Sequence, residues 1–164
     1  MSPRGGFGMW VATGMGLGHM RPAPGTWGST PPVLLAMALA FLSVDPRGID
    51  MALALLGLAF GIGCIAFGDA AEKRLGKKDP GAVVADEIAG QSLTLLWLPW
   101  DHNPAHIIAT CAVAFFMFRL FDVIKPPPAH GWQRFGGGFG ILIDDVVAGM
   151  YALIATQLCV RMLW

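Results

Sequence analysis

Two short stretches hold the residues most able to do chemistry. "VVADEIAG" carries Asp86 and Glu87, and "IDDVVAG" carries Asp144 and Asp145, each acid pair set against an apolar run and followed by Gly90 or Gly149. Burying one carboxylate is costly, and burying two side by side more so, because like charges repel. A helix start makes such a pair tolerable, since exposed N–H groups and the positive dipole end favour acidic side chains. A bound cation does so as well. One pair alone fits a capped helix. Two pairs, each with a glycine that lets another helix approach closely, favour a shared site. Asp69 is a further candidate, because it closes an apolar segment just before the basic stretch "EKRLGKKD". In that stretch Glu72, Lys77, Lys78 and Asp79 read as a solvated terminus.

"FRLFDVIKPPPAHG" supplies opposite charge. Arg119 and Asp122 stand at i and i+3, so they share a helix face and can pair. Lys125 precedes a proline run that ends the helix and fixes the chain direction. Besides an ordinary helix stop, this reads as two cations held beside a carboxylate cluster. Arginine offers a forked donor set for phosphate oxygens, and lysine a compact charge. "GMGLGHMRPAPGTWGS", residues 14–29, is Gly/Pro-rich, and its N–H groups with Arg21 can approach an anion, although it lacks the P-loop lysine pattern. "GGGFG" at 136–140 reads as a hinge. His19, His102, His106 and His130 lack metal-site spacing and read as interface or surface residues, and no nucleophile elbow or catalytic cysteine signature is present. Carboxylates without histidine or thiolate partners favour a hard cation such as Mg²⁺, which commonly completes its shell with water and substrate phosphate. These groups, beside apolar segments, point to phosphoryl chemistry on a lipid.

The elements that position them are helices in an unusually apolar chain. One domain is expected for 164 residues, of which 55% are hydrophobic and only 13% charged, about half the ~25% of a soluble domain. The net charge of zero gives no field for nucleic acid. Cys64, Cys111 and Cys159 are widely spaced in apolar stretches and read as small buried hydrophobes. The N-terminus shows no cleavable signal pattern. Helices are expected at roughly 31–44, 50–68, 83–99, 105–121 and 143–163, the first beginning at the Pro31-Pro32 pair. If all five cross a bilayer from a cytoplasmic N-terminus, nine basic residues (Arg4, Arg21, Lys73, Arg74, Lys77, Lys78, Arg119, Lys125 and Arg134) fall on the cytoplasmic side. Only Arg47 and Arg161 face the other way, which matches the positive-inside bias. Trp97, Trp100 and Trp164 mark the opposite interface. The third stretch is short for a span of ~20 residues. The same topology sends Asp69, Glu72, Asp79, Asp86, Glu87, Asp122, Asp144 and Asp145 to the cytoplasmic side, and Asp45, Asp50 and Asp101 to the other.

The segments "PAPGTWGS", "VVADEIAG", "FRLFDVIKPPP" and "GGFGILIDDVVAG", in this order, resemble the motifs of phosphatidylglycerophosphatase A, over about residues 9–160. The resemblance implies an all-α integral membrane bundle related to a soluble all-helical module. It implies removal of the terminal phosphate of phosphatidylglycerophosphate, giving phosphatidylglycerol, with Mg²⁺ as cofactor at a bacterial inner membrane. It singles out Asp69, Asp86, Glu87, Asp122, Asp144 and Asp145, accompanied by Arg119 and Lys125, with the 22–29 segment as the remaining motif. One departure is Ala129, where an apolar residue is expected after the proline run.

The expected enzyme is thus a Mg²⁺-dependent lipid phosphatase working at the cytoplasmic face. Asp86, Glu87, Asp144 and Asp145, with Asp69, are expected to hold metal, and Asp122 to complete the cluster. Arg21, Arg119 and Lys125 are expected to meet the substrate phosphate. Either a carboxylate activates water or an aspartate attacks directly through an aspartyl-phosphate; the residues leave both routes open. The expected partner is a phospholipid in the membrane and not nucleic acid, with room for a homo-oligomer. Two other readings remain: a cation transporter or channel subunit, whose acids would spread through the bilayer depth, and a scaffold whose acids only cap helices.

Overall fold

A computed structural model describes residues 3–78, 80–127 and 136–163, with side chains from residue 6 onward. Asp79, Ala129, His130, Arg134 and Trp164, and the side chain of Arg4, lie outside the described residues. Six α-helices and no strand occur among the described residues: α1 Pro3–Ala12, α2 Pro24–Phe41, α3 Pro46–Leu75, α4 Ala85–Thr94, α5 Pro104–Ile124 and α6 Gly137–Leu163. A short 3₁₀ turn covers Leu17–His19.

The helix ends follow elementary capping rules. Asp45 accepts a bond from the Arg47 N–H at 2.9 Å ahead of Pro46, and Asn103 accepts from Ala105 at 3.0 Å ahead of Pro104. Leu, Ala, Glu, Lys and Arg carry α3 past the expected stop at 68 until Gly76, at φ 66°, turns the chain. Lys125 ends α5 in the same left-handed region, at φ 48°, directly before the prolines. This conformation is rare outside glycine, and the restriction proline places on its predecessor adds to the constraint.

Four expectations change in detail. The stretch at 3–12 forms α1, which the sequence reading leaves without structure; Gly8 seats against Phe67 and Val11 against Gly63, docking α1 on α3. Helix α2 starts at Pro24 and runs through Pro31 and Pro32, so the 22–29 segment is mostly its first turns. The stretch 83–99 is helical only over the ten residues of α4, after which 95–103 continues without regular helix. The glycines at 137–140 are no hinge: they begin α6, where a Cβ on Gly138 would lie 2.1 Å from the Cys64 carbonyl oxygen.

Three helices, α3, α5 and α6, are long and apolar enough to cross a membrane. Only 28% of the most apolar window of α3 and of α5 is buried, so most of that surface faces outward, as it would toward lipid. Leu58, Ile62, Ile108, Phe116, Ile154 and Leu158 are among the exposed large side chains. Helix α4 is the opposite case, packed on α2, α3 and α6 with Ile88, Gly90 and Gln91 buried. The chain still changes ends after α4. The Trp97 N–H donates to Asp50 at the start of α3 (2.8 Å), and Gln157, late in α6, donates to the Trp97 carbonyl (2.6 Å). One core, around Ile49, Leu53, Leu95 and Ile107, fills that end of the bundle. Cys64 and Cys111 are buried as expected, whereas Cys159 is only partly so.

Candidate functional site

The site forms where α4 crosses α6. A Cβ on Gly149 would lie 2.6 Å from the Gly90 carbonyl oxygen, and one on Gly90 would lie 2.6 Å from the Asp145 carbonyl oxygen. Only two glycines permit that approach. Gly90 is four residues after Asp86 and Gly149 four after Asp145, so the crossing brings one carboxylate from each helix to the same level. Oxygen atoms of Asp86, Glu87 and Asp145 all lie within 4.8 Å of one another. Asp86 and Asp145 are 5% and 4% exposed.

Helix α5 closes a third side. Arg119 Nη1 stands 2.8 Å from Asp122 Oδ2, an ion pair without hydrogen-bond alignment, so this buried N–H group still has donor capacity. The left-handed turn at Lys125 directs its Nζ to Asp144 Oδ2 at 3.3 Å. Tyr151, one turn beyond Ala148 on α6, holds the proline segment by donating to the Pro127 carbonyl at 2.8 Å. The first turn of α2 forms the fourth side. A Cβ on Gly25 would lie 2.6 Å from Glu87 Oε1 and 3.0 Å from Arg119 Nη1, so backbone presses directly on both functional groups.

The charge balance is negative. Five acids (Asp86, Glu87, Asp122, Asp144 and Asp145) face two bases, Arg119 and Lys125. Burial, and then the neighbouring charges of Asp86 and Asp145, hold Glu87 well above the usual carboxylate range. Glu87 Oε2 and Asp145 Oδ2 are buried without a hydrogen-bond partner among the described residues. Such atoms are costly unless something completes their surroundings. An all-oxygen set of this spacing fits a small divalent cation: Mg²⁺ sits ~2.0–2.1 Å from its ligands, so oxygens across it are about 4 Å apart.

Not every predicted residue joins this cluster. Asp69 is on α3 and exposed, and its Oδ1 accepts from the Gly138 N–H at 2.9 Å. It caps the start of α6 and lies outside the group of three acids. Asp144 stands beside that group, paired with Lys125. Arg21 is exposed and lines a separate cavity of about 320 Å³ with His19 and Gly81. Two residues escaped the sequence reading. Gly25 belonged to a segment read as loop, and its contact depends on α2 beginning at Pro24. Gln91, fully buried one turn after Glu87, has both amide atoms without a hydrogen-bond partner among the described residues; a lone glutamine in an apolar run gives no sequence signal.

An all-α protein with three helices of membrane-spanning length and a buried carboxylate cluster at one end of its bundle is the class these observations define. Residues 10–160 match the phosphatidylglycerophosphatase A family, and the chain belongs to it. It is 36% identical over 148 residues to a phosphatidylglycerophosphatase A of Haemophilus influenzae, covering 88% of this chain and 83% of the relative. It is 33% identical over 144 residues to the Escherichia coli protein of the same name, covering 85% and 76%. A Bacteroides thetaiotaomicron protein, provisionally named a phosphatidylinositol-3-phosphatase, is 35% identical over 145 residues, covering 88% and 87%. No solved structure matches.

Proposed function

We propose that this protein hydrolyses the phosphate monoester of phosphatidylglycerophosphate, giving phosphatidylglycerol and phosphate, in a Mg²⁺-dependent reaction at the cytoplasmic face of a bacterial inner membrane. The observation that carries this reading is the meeting of Asp86, Glu87 and Asp145 within 4.8 Å, at the end of the bundle where basic side chains also gather. Family membership supports the substrate. The one-ended grouping of acids supports a headgroup site over an ion path through the bilayer.

Asp86, Glu87 and Asp145 would hold the ion. When bound, Mg²⁺ supplies Lewis acidity, neutralising phosphate charge and lowering the pKa of a water. Arg119 would offer its free N–H to a phosphate oxygen while Asp122 keeps the guanidinium in place. Lys125, fixed by its backbone turn and by Asp144, would meet a second oxygen as charge builds on the transferring group. Burial of Asp86 and Asp145 would limit the access of bulk water to the reaction. A carboxylate from this set would take a proton from the attacking water, or one aspartate would attack phosphorus itself. Asp69 would act from a distance, by fixing the start of α6 and hence the position of Asp145. Arg21 would draw the anionic headgroup toward the site from outside.

The test is phosphate release by the purified protein from phosphatidylglycerophosphate, with Mg²⁺ and with chelator. Release in Mg²⁺ and loss in chelator are expected. No release in Mg²⁺ overturns the substrate, and undiminished release in chelator overturns the metal. The Bacteroides relative motivates one competing headgroup: faster release from phosphatidylinositol 3-phosphate would reassign the substrate without disturbing the site.

A further inference from the structure

Beside the acid cluster lies a groove with almost no polar lining. It runs between α3, α4 and α6, has a volume of about 440 Å³, and is walled by Leu53, Gly57, Gly61, Ile65, Ala89 and Val146 among others. Its single polar side chain, Ser92, is satisfied internally by donating to the Ile88 carbonyl at 2.7 Å. Gly61 hollows the α3 wall, whereas Gly57 seats close on α4, where a Cβ would lie 3.0 Å from that of Ser92. A Cβ on Gly61 would make ordinary contacts, 3.6 Å to Leu142 and 3.8 Å to Ala89.

We infer that this groove holds one acyl chain of the phospholipid whose phosphate occupies the carboxylate site. The inference rests on the reading of that site as a lipid phosphatase centre. Its first support is that groove and site are built on the same helices. Two walls of the groove are the helices that carry the acids: Ala89 is one turn beyond Asp86, and Val146 directly follows Asp145. The second is length. From Leu53 to Ile65 the helix rises about 18 Å, close to the ~15 Å of hydrocarbon in one leaflet. The third is chemistry. A ligand with an anionic phosphate at one end and a hydrocarbon tail at the other can engage a carboxylate site and an apolar furrow built on the same two helices, whereas a headgroup alone would leave the furrow unused. The surrounding bilayer is as apolar as the groove, so occupancy gains little from leaving lipid. Its benefit is orientation: a seated chain fixes the glycerol backbone and thereby the phosphorus against the carboxylates.

The test compares dioleoyl with dihexanoyl phosphatidylglycerophosphate, in mixed micelles with Mg²⁺, for wild type, Gly61→Ala and Gly61→Leu. A leucine fills the groove without adding or removing charge. The ratio of kcat/KM for the long chain over the short chain should fall at least about tenfold in Gly61→Leu, chiefly through kcat, with Gly61→Ala between it and wild type. An unmoved ratio in a folded variant overturns the groove and leaves the phosphatase reading intact. Failure of wild type on both substrates overturns the phosphatase reading itself. Should Gly61→Leu not fold, wild-type protein is photolabelled with a substrate carrying a diazirine in its acyl chain. Label on Leu93, Leu142 or Val146 that unlabelled substrate displaces is expected. Displaceable label confined to the outward face of α5, at Ile108 or Phe116, overturns the inference, as does cross-linking that places a second copy of the chain in the groove.

Discussion

Adding one methyl group to Gly149 tests how the site is assembled. The Cβ of Gly149→Ala would lie 2.6 Å from the Gly90 carbonyl oxygen, where ordinary contact begins at 3.4 Å. The difference, 3.4 minus 2.6, is 0.8 Å, and the obstructing atom is backbone that cannot rotate aside. Helices α4 and α6 must therefore separate by most of an ångström at the crossing that brings Asp145 to Asp86 and Glu87. Overpacking of this kind costs roughly 1–3 kcal/mol of stability, which a membrane bundle of this size should survive. A displacement near 1 Å in a reacting constellation costs about 10²-fold in rate, equivalent to about 2.7 kcal/mol of transition-state stabilisation. Phosphate release from phosphatidylglycerophosphate, measured on protein shown to be folded by size exclusion and thermal melting, should fall by that factor. Gly6→Ala is the matched control, since its Cβ meets nothing within 4 Å. Wild-type turnover in folded Gly149→Ala would refute the idea that this glycine crossing sets the distance between the acids.

Other outcomes follow from the same geometry. The nearest atoms to a Cβ in Gly25→Ala are the movable ends of Glu87 and Arg119, so its melting temperature should stay near wild type while kcat/KM drops by at least about tenfold; equal activity would show that α2 does not hold these groups. Asp145→Asn and Asp86→Asn should retain the fold and lose turnover by orders of magnitude, read by phosphate release, and a loss of folding in both would favour a capping role. Asp69→Ala removes the acceptor for the Gly138 N–H, so it should lower stability by about 1 kcal/mol and reduce activity far less than Asp145→Asn. A loss from Asp69→Ala matching that of Asp145→Asn would return Asp69 to the metal set. Lys125→Met should cut kcat through lost phosphate contact, and Lys125→Arg should restore part of it; no change in either would remove Lys125 from the reaction.

The acid pairs were legible because their pattern repeats. Asp86 to Gly90 and Asp145 to Gly149 have the same spacing, and a carboxylate in an apolar run needs a physical reason. The pairing of Arg119 with Asp122 was legible from their i, i+3 placement. What escaped the sequence reading depends on tertiary contact. The run at 83–99 is apolar enough to suggest a span, but hydropathy does not distinguish Ile88 and Leu95 buried in protein from side chains facing lipid. Asp69 reads as a site acid from its position, and the bond it accepts from Gly138, 69 residues away, has no signal in the sequence. The segment 22–29 read as a loop on its glycines and prolines, yet those residues start a helix whose first turn must come within reach of Glu87. Pro31 and Pro32 looked like a helix start and lie well inside α2 instead.

The most direct measurement is cation binding itself, independent of turnover. Mn²⁺, a hard oxygen-seeking substitute for Mg²⁺ with an EPR signal, is titrated into purified protein in detergent, for wild type and for Asp145→Asn. Saturable binding to wild type that Mg²⁺ displaces, and its loss in the folded variant, are expected. Binding undiminished by Asp145→Asn, or absent from wild type that releases phosphate, would contradict a cation held among Asp86, Glu87 and Asp145.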